Sequence, residues 1–109
     1  MSDAPLIALT TLPSAEVAAA VARTLVEEQL AACVNLVPGV RSIYRWQGAV
    51  VDDAEVLCLI KTTRDRVDAL TARLVALHPY EVPELVTLPI DGGFAPYLAW
   101  VLAAVAPGA

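Results

Sequence analysis

The chain has one histidine and two cysteines among 109 residues, and these carry its imidazole and thiol groups. Imidazole nitrogen suits copper and zinc, and thiolate suits copper. His78 opens onto the short segment Pro79-Tyr80-Glu81-Val82-Pro83-Glu84, whose two prolines restrict the backbone. An imidazole, a phenol and carboxylates converging there have the chemistry to hold a cation, with Glu81 as the carboxylate partner. The plainer use of such a histidine is structural: at a helix C-terminus it meets the last carbonyls. Cys33 lies on an expected strand, as either a thiolate ligand or a small apolar residue. Cys58 sits inside an apolar run and reads as core. No Cys-x-x-Cys or His-Glu-x-x-His spacing is present, so a structural zinc site is not expected. Nothing resembles an activated nucleophile or an oxyanion hole; the remaining catalytic option pairs His78 with Glu81 as acid and base. The chain is therefore read as a non-enzyme that requires no cofactor, with Cu(II) or another divalent cation as candidate ligand of His78, Cys33 and Glu81.

The elements that must position these residues follow from periodicity. Residues 6–12 form an apolar, β-branched run ending at Pro13, the first strand. Ser14 is a good N-cap, Glu16 suits the helix dipole, and Val17, Val21 and Leu25 recur at helical spacing to about Gln29. Strand character returns over 31–37, breaks at Pro38-Gly39 with an expected bulge, and resumes over 40–47. Gly48 with Asp52-Asp53 supplies turn chemistry, and 55–62 is the return strand. Across that turn Arg45 and Glu55 are expected to lie near each other, as a cross-strand or intersubunit ion pair. Thr63 is the expected cap of a second helix, with Val67, Leu70, Leu74 and Leu77 on one stripe and Pro79 ending it at His78. Residues 85–90 read as an edge strand bounded by prolines, and a third helix starts near Pro96 and runs to Val105. The order β-α-β-β-α-β is the split βαβ, ferredoxin-like pattern, an antiparallel sheet with an additional C-terminal helix, in a single domain over 1–109.

Composition bounds the assembly. Fifty-eight per cent of the residues are hydrophobic and mean hydropathy is +0.64, more apolar side chain than a domain this small shelters alone. A membrane does not account for it: residues 15–37 carry Glu16, Arg23, Glu27 and Glu28, and the uncharged run 94–105 is shorter than the roughly 20 residues a span needs. Other copies of the chain do account for it. The long hairpin, with Tyr44 and Trp46 at its far end, is expected to project and pair with a neighbouring subunit, making Tyr44, Trp46, Arg45 and Glu55 interface residues. Net charge is −5, which disfavours nucleic acid and admits cations. Met1-Ser2-Asp3-Ala4-Pro5 has no basic n-region, and two cysteines do not make a disulfide scaffold, so a cytoplasmic location is expected.

Several motifs in order carry a resemblance. Ala31-Ala32-Cys33-Val34-Asn35-Leu36-Val37-Pro38-Gly39-Val40-Arg41-Ser42-Ile43-Tyr44-Arg45-Trp46-Gln47-Gly48 is similar to the central hairpin of the CutA (divalent-cation tolerance) family. Glu55 with Lys61-Thr62, the segment His78 to Glu84, and Tyr97-Leu98-x-Trp100 resemble its later signatures, so the likeness covers about residues 6–105. It implies a homotrimer of ferredoxin-like subunits, PII-like in architecture, and a role in tolerance of divalent metals, chiefly copper, without an established reaction. Some bacterial relatives have a proposed copper-binding cysteine where this chain has Thr10, and a second histidine where it has Leu77; of that set His78 alone is present. The alternative is a PII-like sensor with a small anion or metabolite in its intersubunit clefts.

Overall fold

A computed structural model describes residues 4–108; Met1, Ser2 and Asp3, part of the segment expected to lack an export signal, lie outside them. Strand β1 (Pro5–Leu12) leads through the N-cap Ser14, whose Oγ accepts from the Val17 amide at 3.2 Å, into α1 (Ala15–Glu27). The helix stops two residues before the expected Gln29. Glu28 caps it and Gln29 takes a left-handed φ of 59°, a conformation that cannot continue a right-handed helix. Strands β2 (Cys33–Trp46) and β3 (Ala49–Thr63) follow as one hairpin. A short 3-10 turn, Arg64–Arg66, then enters α2 (Val67–Leu77). The expected cap is replaced: Thr63 Oγ1 bonds the Asp65 carboxylate instead of a helix amide, because the 3-10 turn intervenes. Strand β4 is shorter than expected, Val86–Pro89, and α3 spans Ala95–Val105 with proline in its first turn.

The sheet order is β2-β3-β1-β4, every pair antiparallel, with β2 and β4 at the edges. Leu6, Ala8, Thr10 and Leu12 alternate inward along β1, and Val56, Cys58 and Ile60 do the same along β3. Ala18, Val21 and Leu25 of α1 and Leu70 and Leu74 of α2 close over them to make the main core. Cys58 belongs to that core, as its apolar surroundings in sequence require. Helix α3 packs on β3 and β1 outside it, and its Val101 and Val105 form a second cluster with Ala32. No helix among the described residues is long and apolar enough to cross a membrane.

The hairpin turn differs from the sequence expectation. Gln47 and Gly48, with φ of 50° and 81°, make a two-residue turn, and Ala49 already begins β3. Asp52 and Asp53 are strand residues, not turn residues: Arg41 binds Asp52 through two nitrogens at 2.9 and 2.7 Å, and Tyr44 donates to Asp53 at 2.6 Å. Register also removes the cross-strand pairing of Arg45 with Glu55, since Arg45 faces Val50 and Glu55 faces Val40.

The bulge falls where expected, between Val37 and Val40, with Gly39 at a φ of 79°. Its consequence is a change of parity. Before it Cys33, Asn35 and Val37 pair with Lys61, Leu59 and Leu57; after it Val40, Ser42, Tyr44 and Trp46 pair with Glu55, Asp53, Val51 and Ala49. One extra residue brings Ser42, Tyr44 and Trp46 to the sheet face turned away from α1 and α2. Strand β1 ends opposite Val56 at Leu12, so beyond that point β2 and β3 continue as a two-stranded ribbon, and the molecule measures 44 × 25 × 22 Å.

Candidate functional site

The root of this ribbon is where the chemistry-bearing residues gather. His78, the last residue before Pro79, takes an extended ψ of 136°, as a residue preceding proline must, and turns its ring off the helix end. It does not meet the helix carbonyls in the way expected of a C-terminal histidine. The ring is buried, 7% exposed, with Nε2 2.7 Å from the carbonyl oxygen of Thr11 and Nδ1 3.2 Å from the Tyr80 amide nitrogen. A carbonyl only accepts and an amide only donates, so the arrangement is met by neutral imidazole with its proton on Nε2. The Tyr80 ring packs 4.6 Å from the imidazole, and its hydroxyl donates to Glu55 Oε2 at 2.7 Å. Burial first, and the bond to Glu55 second, push the Tyr80 phenol well above the ordinary phenol range. On the ribbon the Asp53 carboxylate holds the Tyr44 phenol up in the same direction.

These bonds tie β1, the segment after α2 and β3 into one wall of an open cleft of about 640 Å³. Thr11, Glu55, Tyr80, Glu81, Val82 and Glu84 line it, and the ribbon adds Ser42, Ile43, Tyr44 and Trp46. No lysine or arginine is among these residues, so the lining suits a cation better than an anion.

The expected site residues are only partly brought together. His78 and Glu81 share the segment beside the cleft. Cys33 lies opposite Lys61, while His78 is bonded at Thr11, which lies opposite Leu57. Four residues of strand separate the two rows, about 13 Å at the usual rise. Among the described residues no group of three His, Cys, Asp or Glu side chains is placed to hold a metal. Of the expected interface residues, Tyr44 and Trp46 are exposed on the ribbon and Arg45 has no carboxylate partner among the described residues, whereas Glu55 is 7% exposed and faces the cleft. Sequence reasoning missed Thr11, Ser42, Ile43 and Val82 as lining residues. The carbonyl of Thr11 leaves no signature in residue type, and Ser42 joins the cleft only through the parity change at the bulge.

A split βαβ, ferredoxin-like α/β subunit with a projecting β-ribbon and an acidic, aromatic cleft at its root is the class of protein that fold and site define. The profile of the family described as CutA1 divalent ion tolerance protein matches residues 6–104, and the chain belongs to that family. A divalent-cation tolerance protein CutA of Thermus thermophilus is 58% identical over 95 residues, covering 87% of this chain and 92% of the relative. Protein CutA of Homo sapiens is 50% identical over 94 residues, covering 86% of this chain and 52% of the relative, so the chain spans about half the length of this mammalian relative. Among solved structures, CutA1 of Oryza sativa superposes with a TM-score of 0.92 at 41% identity, covering 99% of this chain and all of that one. The Thermus thermophilus protein gives 0.87 at 57% identity, covering 89% and 94%. A neighbour from Archaeoglobus fulgidus, 30% identical over 94% of this chain and 99% of its own with a TM-score of 0.90, is described as a periplasmic divalent cation tolerance protein.

Proposed function

We propose that this protein is a non-enzymatic homotrimer that contributes to tolerance of divalent metals. The observation that carries the assembly is the ribbon. It projects beyond β1, and it holds Ile43 and Val50 at 66% and 69% exposure together with exposed Tyr44 and Trp46. A two-stranded ribbon with apolar side chains in water is not stable alone, and the open edges of β2 and β4 are the partners another copy offers. A closed three-fold ring, PII-like in plan, satisfies both edges in every subunit. The family's description supports the link to divalent ions.

Copper is the candidate metal, and its binding is weak. Ligation at His78 requires Nδ1 to give up the Tyr80 amide or Nε2 to give up Thr11. Glu81 is the carboxylate within the same segment, and Cys33 contributes only from a neighbouring subunit. Two thiols with no disulfide between them fit a reducing compartment, the cytoplasm. Sedimentation equilibrium tests the assembly: a threefold multiple of 11.5 kDa that persists at micromolar dilution supports it, and a compact, folded monomer refutes it. Calorimetric titration with Cu(II) tests the metal: His78→Ala is expected to abolish a weak isotherm, and an unchanged isotherm removes His78 from the site.

A further inference from the structure

The two open edges of the sheet run in opposite senses. Each neighbouring pair in the order β2-β3-β1-β4 is antiparallel, so β2 runs with β1 and β4 runs against it. A second copy set beside the first in the same orientation therefore lays its β2 antiparallel to β4. Strand β4 begins at Val86, opposite Leu9, and ends at Pro89, opposite Leu6. Leu12 is the ribbon end of β1, so the segment before Val86 leaves β4 toward the ribbon, where Glu81, Val82 and Glu84 line the cleft. A neighbour's β2 seated on β4 runs the same way, from Cys33 toward Trp46, and its ribbon half passes alongside that segment.

The two surfaces that meet in this way are complementary. Val50, Ile43 and Val82, at 69%, 66% and 66% exposure, are the most exposed large aliphatic side chains among the described residues. Val82 stands between Glu81 and Glu84, both exposed and neither in an ion pair among the described residues. Val50 is the cross-strand partner of Arg45, and both share a ribbon face with Ile43, two residues before Arg45. Arg45 is exposed and likewise outside the ion pairs among the described residues. One surface is thus apolar with negative charge and the other apolar with positive charge. A patch that complements a different patch of the same chain joins copies head to tail, and opposite charges set the register more than the strength of the contact.

We propose that the segment carrying Glu81, Val82 and Glu84 is the seat of the next copy's ribbon, with Val82 against the partner subunit's Ile43 and Val50, and the two glutamates paired with the partner subunit's Arg45. The assignment rests on the proposed trimer and names the contact that fixes its register. Carbodiimide cross-linking of an Arg45→Lys variant tests it, because the reagent joins an amine to a carboxylate only where they touch. Full-length chains, half of them labelled with nitrogen-15, are refolded together, cross-linked and mapped by peptide mass spectrometry. Links from Lys at position 45 to Glu81 or Glu84 in mixed-isotope pairs are expected. A particle of trimeric mass without those links overturns the proposal and leaves the trimer standing; a folded monomer overturns both. If the chains do not refold together, Arg45→Glu carries the test. Its subunit dissociation constant is expected to rise at least tenfold, and to recover when Glu81→Arg and Glu84→Arg are added. Dissociation unchanged in Arg45→Glu overturns the proposal.

Discussion

The imidazole of His78 bridges two elements that are 67 residues apart, holding the Thr11 carbonyl of β1 at 2.7 Å through Nε2 while Nδ1 receives the Tyr80 amide. The ring is a strut between the end of β1 and the segment that walls the cleft. His78→Ala leaves a part-buried amide and a buried carbonyl without partners, at up to about 1–3 kcal/mol for each group. Urea denaturation is expected to show a lowered midpoint. His78→Gln, which retains a donor and an acceptor, is expected to recover part of the loss. A midpoint unchanged in His78→Ala would show that the strut carries no stability.

Thr10 and Thr62 are both fully buried, yet their hydroxyls differ. Thr62 Oγ1 donates to the Leu30 carbonyl at 2.8 Å, while Thr10 Oγ1 has no partner among the described residues. Replacing a partnered hydroxyl by methyl strands the carbonyl it served; replacing an orphan removes a group already desolvated for nothing. Thr62→Val is expected to cost about 1–2 kcal/mol and Thr10→Val to raise stability by up to about 1 kcal/mol. Equal effects in paired thermal melts would contradict this account.

Tyr80 sets an alkaline limit. Burial, then its bond to Glu55, raise its folded-state pKa above that of a free phenol. Below the ordinary phenol range both states keep the proton and its contribution is complete. As pH rises through that range the unfolded chain loses the proton while the folded one keeps it, so stability falls with pH. Tyr80→Phe is expected to flatten the decline in melting temperature above about pH 10, where a free phenol titrates. A decline of the same slope in wild type and Tyr80→Phe would assign it to another group.

At the ribbon tip, Gln47 bears a left-handed φ of 50° that glycine or asparagine adopts at less cost. Gln47→Asn completes an Asn-Gly turn, and is expected to stabilise the protein by a few tenths of a kcal/mol up to about 1 kcal/mol. Gly48→Ala, at φ 81°, is expected to destabilise by about 1 kcal/mol or more, although a Cβ there meets no atom within 4 Å. A neutral Gly48→Ala would mean the turn relaxes to another type.

The two cysteines differ in environment and so in reactivity. Cys58 is 1% exposed and burial pushes its thiol up, whereas Cys33 is only partly buried. Alkylation of the native protein is expected to modify Cys33 and spare Cys58 until denaturant is added. Modification of both at the same rate would place Cys58 outside a closed core.

Much of the fold was legible along the chain because it rests on local rules. Ser14 capped its helix, Pro79 ended the next, the apolar run over 6–12 marked β1, and Pro38-Gly39 announced the bulge. The places where local reading went astray have a common cause. Asp52-Asp53 has turn composition, but Gln47-Gly48 makes a shorter turn, and Arg41 and Tyr44 then hold both aspartates in the strand. Arg45 and Glu55 looked adjacent only while the turn was misplaced.

By itself the sequence determined the element order, the family motifs and an excess of apolar side chain, all of which depend on residue type and short-range spacing. The tertiary structure decided which residues meet. A single inserted residue at the bulge swung Tyr44 and Trp46 to the face that Glu55 occupies, and the carbonyl of Thr11, invisible in any side-chain pattern, claimed one nitrogen of His78. Strand register and backbone partners are properties of distant segments in contact, so residue types read in order do not specify them.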